Sequence, residues 1–319
     1  MKSKYVVFLL LLTEIIFLTG CRVGSAALPE AVTIEVAATR DFGHNIVFER
    51  EATIERRISA ADALAEVTDF ETDGSYITEF EGLRGDDKVY WMYYINGLLS
   101  KVFASGYIIR PGDVMLWDFH PWAGAHHGSS AIIGSFPEPL VHGYEGQTRP
   151  TTVVYGEGCK DRAENIADGL RDLGVTDLSV KASSSLGDTE KGSNNLVIIA
   201  GNDNPLIQDL NEQANPLGMY AYFENGGTRV TNYKFEPQAD YGAGTGIIQA
   251  CQNLWNPLGT GSCQNAVFIV TGIDEAGVTN AVDVLLDSID AIREGNASPI
   301  DYAYGVVIDA EGNIIRTPL

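Results

Sequence analysis

The densest chemistry in this chain lies in Trp117-Asp118-Phe119-His120-Pro121-Trp122. Two indoles and a phenyl ring offer flat apolar faces, and His120 offers a ring nitrogen to a metal or to an amide. Placed at the end of a strand, the set would stack on a planar ring system while His120 bonds to it. Trp117, Phe119, His120 and Trp122 are therefore candidate ligand-binding residues. Tyr94 joins them, because Trp91-Met92-Tyr93-Tyr94-Ile95 alternates and sends Tyr94 to the opposite face from Trp91 and Tyr93. Ordinary core packing is the competing account, and for Trp91 and Tyr93 it is preferred. His126-His127 follows on a Gly/Ser-rich stretch, where a solvated pair is favoured over a metal site.

Catalytic patterns are scarce. No Gly-x-Ser-x-Gly elbow and no His-Glu-x-x-His occurs, and the five histidines all fall at or before His142. Gly242-Ala243-Gly244-Thr245-Gly246 lacks the lysine of a phosphate loop and reads as a turn permitting close helix packing. These observations point to binding rather than to an enzyme, with no catalytic residues and no metal site assigned.

Elements that would carry these residues follow from periodicity. An opening hairpin spans Val32–Val36 and Ile46–Phe48 around Asp41-Phe42-Gly43-His44-Asn45. Ser59, with Asp62 three residues on, starts a short helix over 59–67. Strands follow at 89–95 and 114–119, the first ended by Asn96-Gly97 and the second opened by Pro111-Gly112-Asp113. Hairpin, helix and later strands in one unit of about 90 residues give an α+β domain at residues 31–122. Residues 123–150 lose periodicity and read as a linker. From Thr151 apolar strands (152–155, 196–200, 266–270) alternate with helices (160–173, 205–211, 246–254, 276–293), and two hairpins are added near 225–227 and 311–312. That rhythm predicts an α/β domain with a partly parallel sheet over 151–319.

The start of the chain fixes the expected compartment. Lys2 and Lys4, the apolar run Tyr5–Leu18 and Gly20 read as a secretory signal over residues 1–20. Leu18-Thr19-Gly20-Cys21 resembles the lipobox of prokaryotic lipoproteins, which implies acylation of Cys21, a tether over residues 21–30 and attachment to a membrane from outside the cytoplasm. The chain of 319 residues carries 21 Lys+Arg against 43 Asp+Glu, a net charge of −22. So negative a surface repels nucleic acid and excludes it as a partner. Outside the cell a disulfide is permitted, and Cys251 and Cys263 flank a Gly/Pro/Asn-rich loop whose closure would add about 3 kcal/mol. Two buried thiols are the plainer alternative.

Residues 31–122 resemble the DUF4430 family, which is related to the carboxy-terminal domain of transcobalamin and intrinsic factor. The likeness rests on the Ser59–Val67 helix, on Trp91-Met92-Tyr93-Tyr94-Ile95-Asn96-Gly97, and on Gly112-Asp113-Val114-Met115-Leu116-Trp117. It implies a β-grasp fold that binds soluble ligands, and a corrinoid such as cobalamin as the ligand. Residues 195–290 resemble a domain of archaeal S-layer and related surface proteins, through Asn195–Pro205 and Val267–Gly272 with the helix behind them. That resemblance implies a structural role at the cell surface. Two functions are expected in consequence: capture of a small ligand for a membrane transporter, or structural and adhesive work in the envelope.

Overall fold

The computed structural model describes residues 27–125 and 127–319. The signal segment, Cys21 and His126 lie outside the described residues. The first unit runs β1 (Ala27–Arg40), β2 (Asn45–Arg56), α1 (Ala60–Ala65), β3 (Phe70–Asp73), β4 (Tyr76–Phe80), β5 (Leu83–Arg84), β6 (Val89–Ile95), β7 (Leu98–Leu99) and β8 (Val114–Pro121). Its main sheet has the order β2-β1-β8-β6-β7, with β1 and β8 parallel at the centre and the other pairs antiparallel. β3, β4 and β5 form a separate small sheet. Ser59 caps α1 as its spacing predicts: its hydroxyl accepts from the Asp62 N–H, and the Asp62 carboxylate accepts from the Ser59 N–H. Asn96 and Gly97 take positive φ in the tight turn between β6 and β7. β1 starts at Ala27, within the stretch 21–30 expected as a tether.

The second unit runs β9 (Thr151–Tyr155), α2 (Lys160–Asp172), β10 (Leu178–Ala182), α3 (Asp188–Ser193), β11 (Asn195–Gly201), α4 (Pro205–Glu212), α5 (Ala214–Leu217), β12 (Ala221–Glu224), β13 (Gly227–Thr231), β14 (Pro237–Tyr241), β15 (Gly246–Gln252), β16 (Ala266–Gly272), α6 (Glu275–Arg293), β17 (Gly305–Ile308) and β18 (Ile314–Thr317). Seven strands form one mixed sheet, β10-β9-β11-β16-β15-β17-β18, in which β10, β9, β11 and β16 are parallel. The chain as a whole is mixed α+β, rich in sheet, with parallel pairing in both units.

Two expectations about elements are corrected. The predicted helix over 246–254 is strand β15, held between β16 and β17. Its residues are buried on both faces, so Gly246–Gln252 shows no alternation to mark it as a strand. Gly246 is required there because a Cβ would sit 2.5 Å from the Gly277 carbonyl oxygen of α6. The predicted linker at 123–150 is in large part core: Ala131, Ile132, Ile133, Phe136, Leu140 and Tyr144 are buried. Phe136 meets Phe268 of β16 edge-on at 5.6 Å between ring centroids. One continuous hydrophobic core consequently runs from Trp117 and Leu64 through this segment to Val153, Ile166 and Ile289.

The disulfide is also corrected. Cys159, Cys251 and Cys263 are all free and buried. Cys251 packs with Val154, Leu196 and Val267 on one face of the large sheet, whereas Cys263 belongs to the core that Ile248 and Ala250 enter from the other. Burial pushes the Cys251 thiol up to about 12.

Candidate functional site

The two faces of β6 and β8 make two different surfaces. Trp91, Ile95, Met115 and Trp117 enter the core under the small sheet, while Tyr94 and Leu116 point the other way, toward residues of the second unit. Each face opens into a hollow.

The larger hollow is a cleft of about 750 Å³ between β4, β6 and the loop after β7. Trp91, Tyr93 and Trp117 line it from the sheet, and Tyr76, Phe103 and Trp122 from the rim. Tyr76, Val102, Phe103 and Trp122 are four of the nine large hydrophobic side chains left exposed among the described residues. Their gathering at one cleft is what a binding surface requires, since single exposed apolar residues need no explanation. Tyr76 and Phe103 meet edge-on at 4.8 Å, and Trp117 stacks on Tyr93 at 4.8 Å. The polar lining is sparse, chiefly Ser100, Lys101, Ser105 and Asp86. Tyr93 donates to the Val102 carbonyl at 2.6 Å, which fixes the loop that forms the rim. The Trp117 Nε1–H is buried without a hydrogen-bond partner among the described residues.

The smaller hollow, about 200 Å³, is lined by Phe42, Met92, Tyr94, His120, Trp122 and Tyr220 among others. His120 is 6% exposed and its Nδ1 lies 2.6 Å from Asp118 Oδ2, so the carboxylate accepts from that nitrogen and leaves Nε2 as the one it does not engage. Phe42 stacks on the imidazole at 4.1 Å. Asp118 is fully buried. It also accepts from Thr39 Oγ1 at 2.7 Å, from the Phe42 and Gly43 N–H groups at 3.0 and 3.1 Å, and from the Tyr304 hydroxyl at 3.2 Å. Burial opposes ionisation of Asp118, but the hydrogen bond and charge of His120, with Thr39 and Gly43, outweigh it and hold the carboxyl below its ordinary range. Gly43 has φ +78°, and a Cβ there would lie 1.9 Å from the Tyr302 carbonyl oxygen.

The five residues expected to bind a ligand are thus divided. Trp122 borders both hollows, Trp117 belongs to the cleft, and Tyr94 and His120 belong to the smaller hollow. Phe119 lines neither; it is half-buried and tilts against Trp91 at 5.0 Å. Trp117, at 3% exposure, is part of the core as well as of the cleft. Sequence reasoning missed Tyr76, Phe103 and Asp118. Asp118 carried a signal: two residues before His120 on one strand, it must share that residue's face. Tyr76 and Phe103 stand on separate elements that only the fold brings together. His127 is exposed at the edge of the smaller hollow.

The two sequence signatures also meet each other. The Asn96 amide donates to Asp113 at 2.9 Å and its carbonyl accepts from the Val114 N–H at 2.8 Å, while Tyr107 and the Arg110 N–H donate to Asp113. These residues hold β6 to β8 and are structural.

A small domain with a ligand-sized aromatic cleft is the class that this geometry defines. Residues 58–121 match the family described as domain of unknown function DUF4430. No curated protein matches the chain. Among solved structures, haptocorrin in complex with Cbi aligns at 15% identity and a TM-score of 0.26, covering 31% of this chain and 27% of that one. A putative metal-binding protein from Ruminococcus gnavus aligns at 16% identity and a TM-score of 0.23, covering 29% of this chain and 98% of that one. The chain therefore spans about a quarter of the haptocorrin chain. No helix among the described residues is long and apolar enough to cross a membrane.

Proposed function

We propose that this protein is a membrane-tethered, extracytoplasmic binder of a small, flat, largely apolar ligand, held in the cleft bounded by Tyr76, Phe103, Trp117 and Trp122. The single observation that carries the reading is the convergence of exposed aromatic side chains on one hollow of about 750 Å³, within the ~300–1,000 Å³ of small-molecule sites. The 200 Å³ hollow beside His120 falls below that range and serves as a polar anchor for the fold. The strand order β2-β1-β8-β6, with β1 and β8 parallel in the middle and α1 following the first hairpin, supports assigning residues 31–122 to a β-grasp fold. A corrinoid is the ligand class of choice, because a planar macrocycle suits the stacking aromatic walls. The lipobox-like Leu18–Cys21 supports anchoring through acylated Cys21, and a membrane transporter or envelope protein is then the natural recipient of the ligand.

Titration of the protein with cobinamide and with cobalamin, followed by tryptophan fluorescence, tests this. Saturable quenching is expected, and Tyr76→Ala and Phe103→Ala should each weaken it at least tenfold without lowering the melting temperature. Absence of saturable binding to either corrinoid removes the corrinoid assignment. If apolar polycyclic probes also fail to bind, the structural and adhesive surface role stands in its place.

A further inference from the structure

A third hollow, of about 730 Å³, lies in the other half of the molecule and has a chemistry opposite to that of the aromatic cleft. It sits at the carboxyl ends of the parallel strands, where the loops after β9, β10, β11 and β16 meet: Gly156–Cys159, Ser183-Ser184, Asn202–Asn204 and Ile273–Glu275. The strand order explains why a crevice forms there. From β9 the chain moves outward to β10, then returns across β9 to β11 on the other side, so the connections leaving β9 and β11 diverge. α2 packs with α6 on one face of the sheet and α4 on the other. In open α/β sheets the crevice outside the carboxyl ends of the strands, at such a reversal, is where ligands bind.

We infer that this crevice is a second binding site, for a neutral, hydroxyl-rich ligand of the saccharide class. The lining decides the class. Glu157, Asp203, Asp274 and Glu275 stand against a single cation, Arg162. That guanidinium is already engaged, donating to Thr279 Oγ1 at 2.8 Å and lying 3.5 Å from Glu275. A phosphate or carboxylate would meet net negative charge, so anions are disfavoured. No group of three His, Cys, Asp or Glu side chains among the described residues is placed to hold a metal ion. Hydroxyl groups remain, because each donates and accepts at once. Glu157 and Asp203 supply acceptors, Asn202 supplies both functions, and Ser184 adds a hydroxyl. The side chains of these four residues make no hydrogen bonds among the described residues, so they are free to turn to a guest. Tyr155 adds an aromatic surface for the apolar face of a sugar ring. The site is independent of the aromatic cleft and would persist if the corrinoid reading failed.

The test uses the full chain in detergent, titrated calorimetrically with neutral sugars: glucose, galactose, N-acetylglucosamine and a β-linked tetramer of each. Saturable binding of at least one is expected. Asn202→Ala and Asp203→Ala should each weaken it at least tenfold while the melting temperature holds. Phe103→Ala, in the aromatic cleft, should leave sugar binding unchanged. Failure of all six sugars to bind at 10 mM, binding undiminished in both variants, or tighter binding of inorganic phosphate or calcium at the crevice would each overturn the inference.

Discussion

Replacing Asp118 by Ala should be the most damaging single change in the chain outside the hydrophobic core. The carboxylate accepts from five donors, and none of its surface reaches solvent. Truncation leaves the His120 imidazole without its partner, and a hydrogen bond to a charged group is worth about 1.5–3 kcal/mol. It also strands the Phe42 and Gly43 N–H groups, at about 1 kcal/mol or more each. The sum is roughly 3.5–5 kcal/mol, a large part of the ~5–15 kcal/mol that holds a folded domain together. With a urea slope of about 3 kcal/mol/M, the unfolding midpoint should fall by roughly 1–2 M. Asp118→Asn should be milder but still destabilising, since the amide must present its NH₂ to one of the donors. A double-mutant cycle with His120→Phe should show an interaction energy above about 1 kcal/mol. Because Tyr304 comes from the second unit, both halves should melt in one transition shifted together. A midpoint change below 0.5 M for Asp118→Ala, or a separate early transition, would refute this account of the network.

Further outcomes follow from other residues. Gly43→Ala forces a Cβ into the Tyr302 carbonyl at positive φ, and should lower stability by about 2 kcal/mol or more, read from the same urea curves. Stability should rise as pH falls from the alkaline side toward about 4, the unfolded pKa of the aspartates. The His142 imidazole is raised by its hydrogen bond to Glu138, and Asp113 and Asp301 are raised by burial. Each contribution is complete below the group's unfolded pKa and lost as pH climbs through the higher folded one. Asp118 acts in the opposite sense: its depressed pKa stabilises above about 4 and is lost as pH drops through the folded value, so melting temperatures should turn down again at strongly acidic pH. Thiol titration should find Cys159, Cys251 and Cys263 unreactive in the native protein and all three free in urea without reductant; a reductant-dependent increase would contradict the unbridged pair.

How much of this was legible in the chain differs from residue to residue. Ser59 with Asp62 and Asn96 with Gly97 were readable because capping and tight turns are local in sequence. The parallel units were readable from apolar strands such as Leu196–Ala200. β15 was not, because a short run buried on both faces has the same pattern whether it is strand or helix. The burial of Ile132, Ile133 and Phe136 was hidden because irregular backbone imposes no period on its core residues. Cys251 and Cys263 looked joinable because twelve positions say nothing about which side of a sheet each thiol faces. At the site, the aromatic content of Trp117–Trp122 was plain, but its division between two hollows depends on strand alternation plus partners about a hundred or more residues away, such as Tyr220 and Tyr304.

The borders of the family match have a practical meaning for anyone cutting this gene. Residues 58–121 contain β8 but omit β1, the strand that covers one whole side of it. A fragment trimmed to those limits would present the backbone of β8 as a sticky ribbon and would associate with itself. The piece that sequence similarity singles out is therefore smaller than the piece that can stand alone.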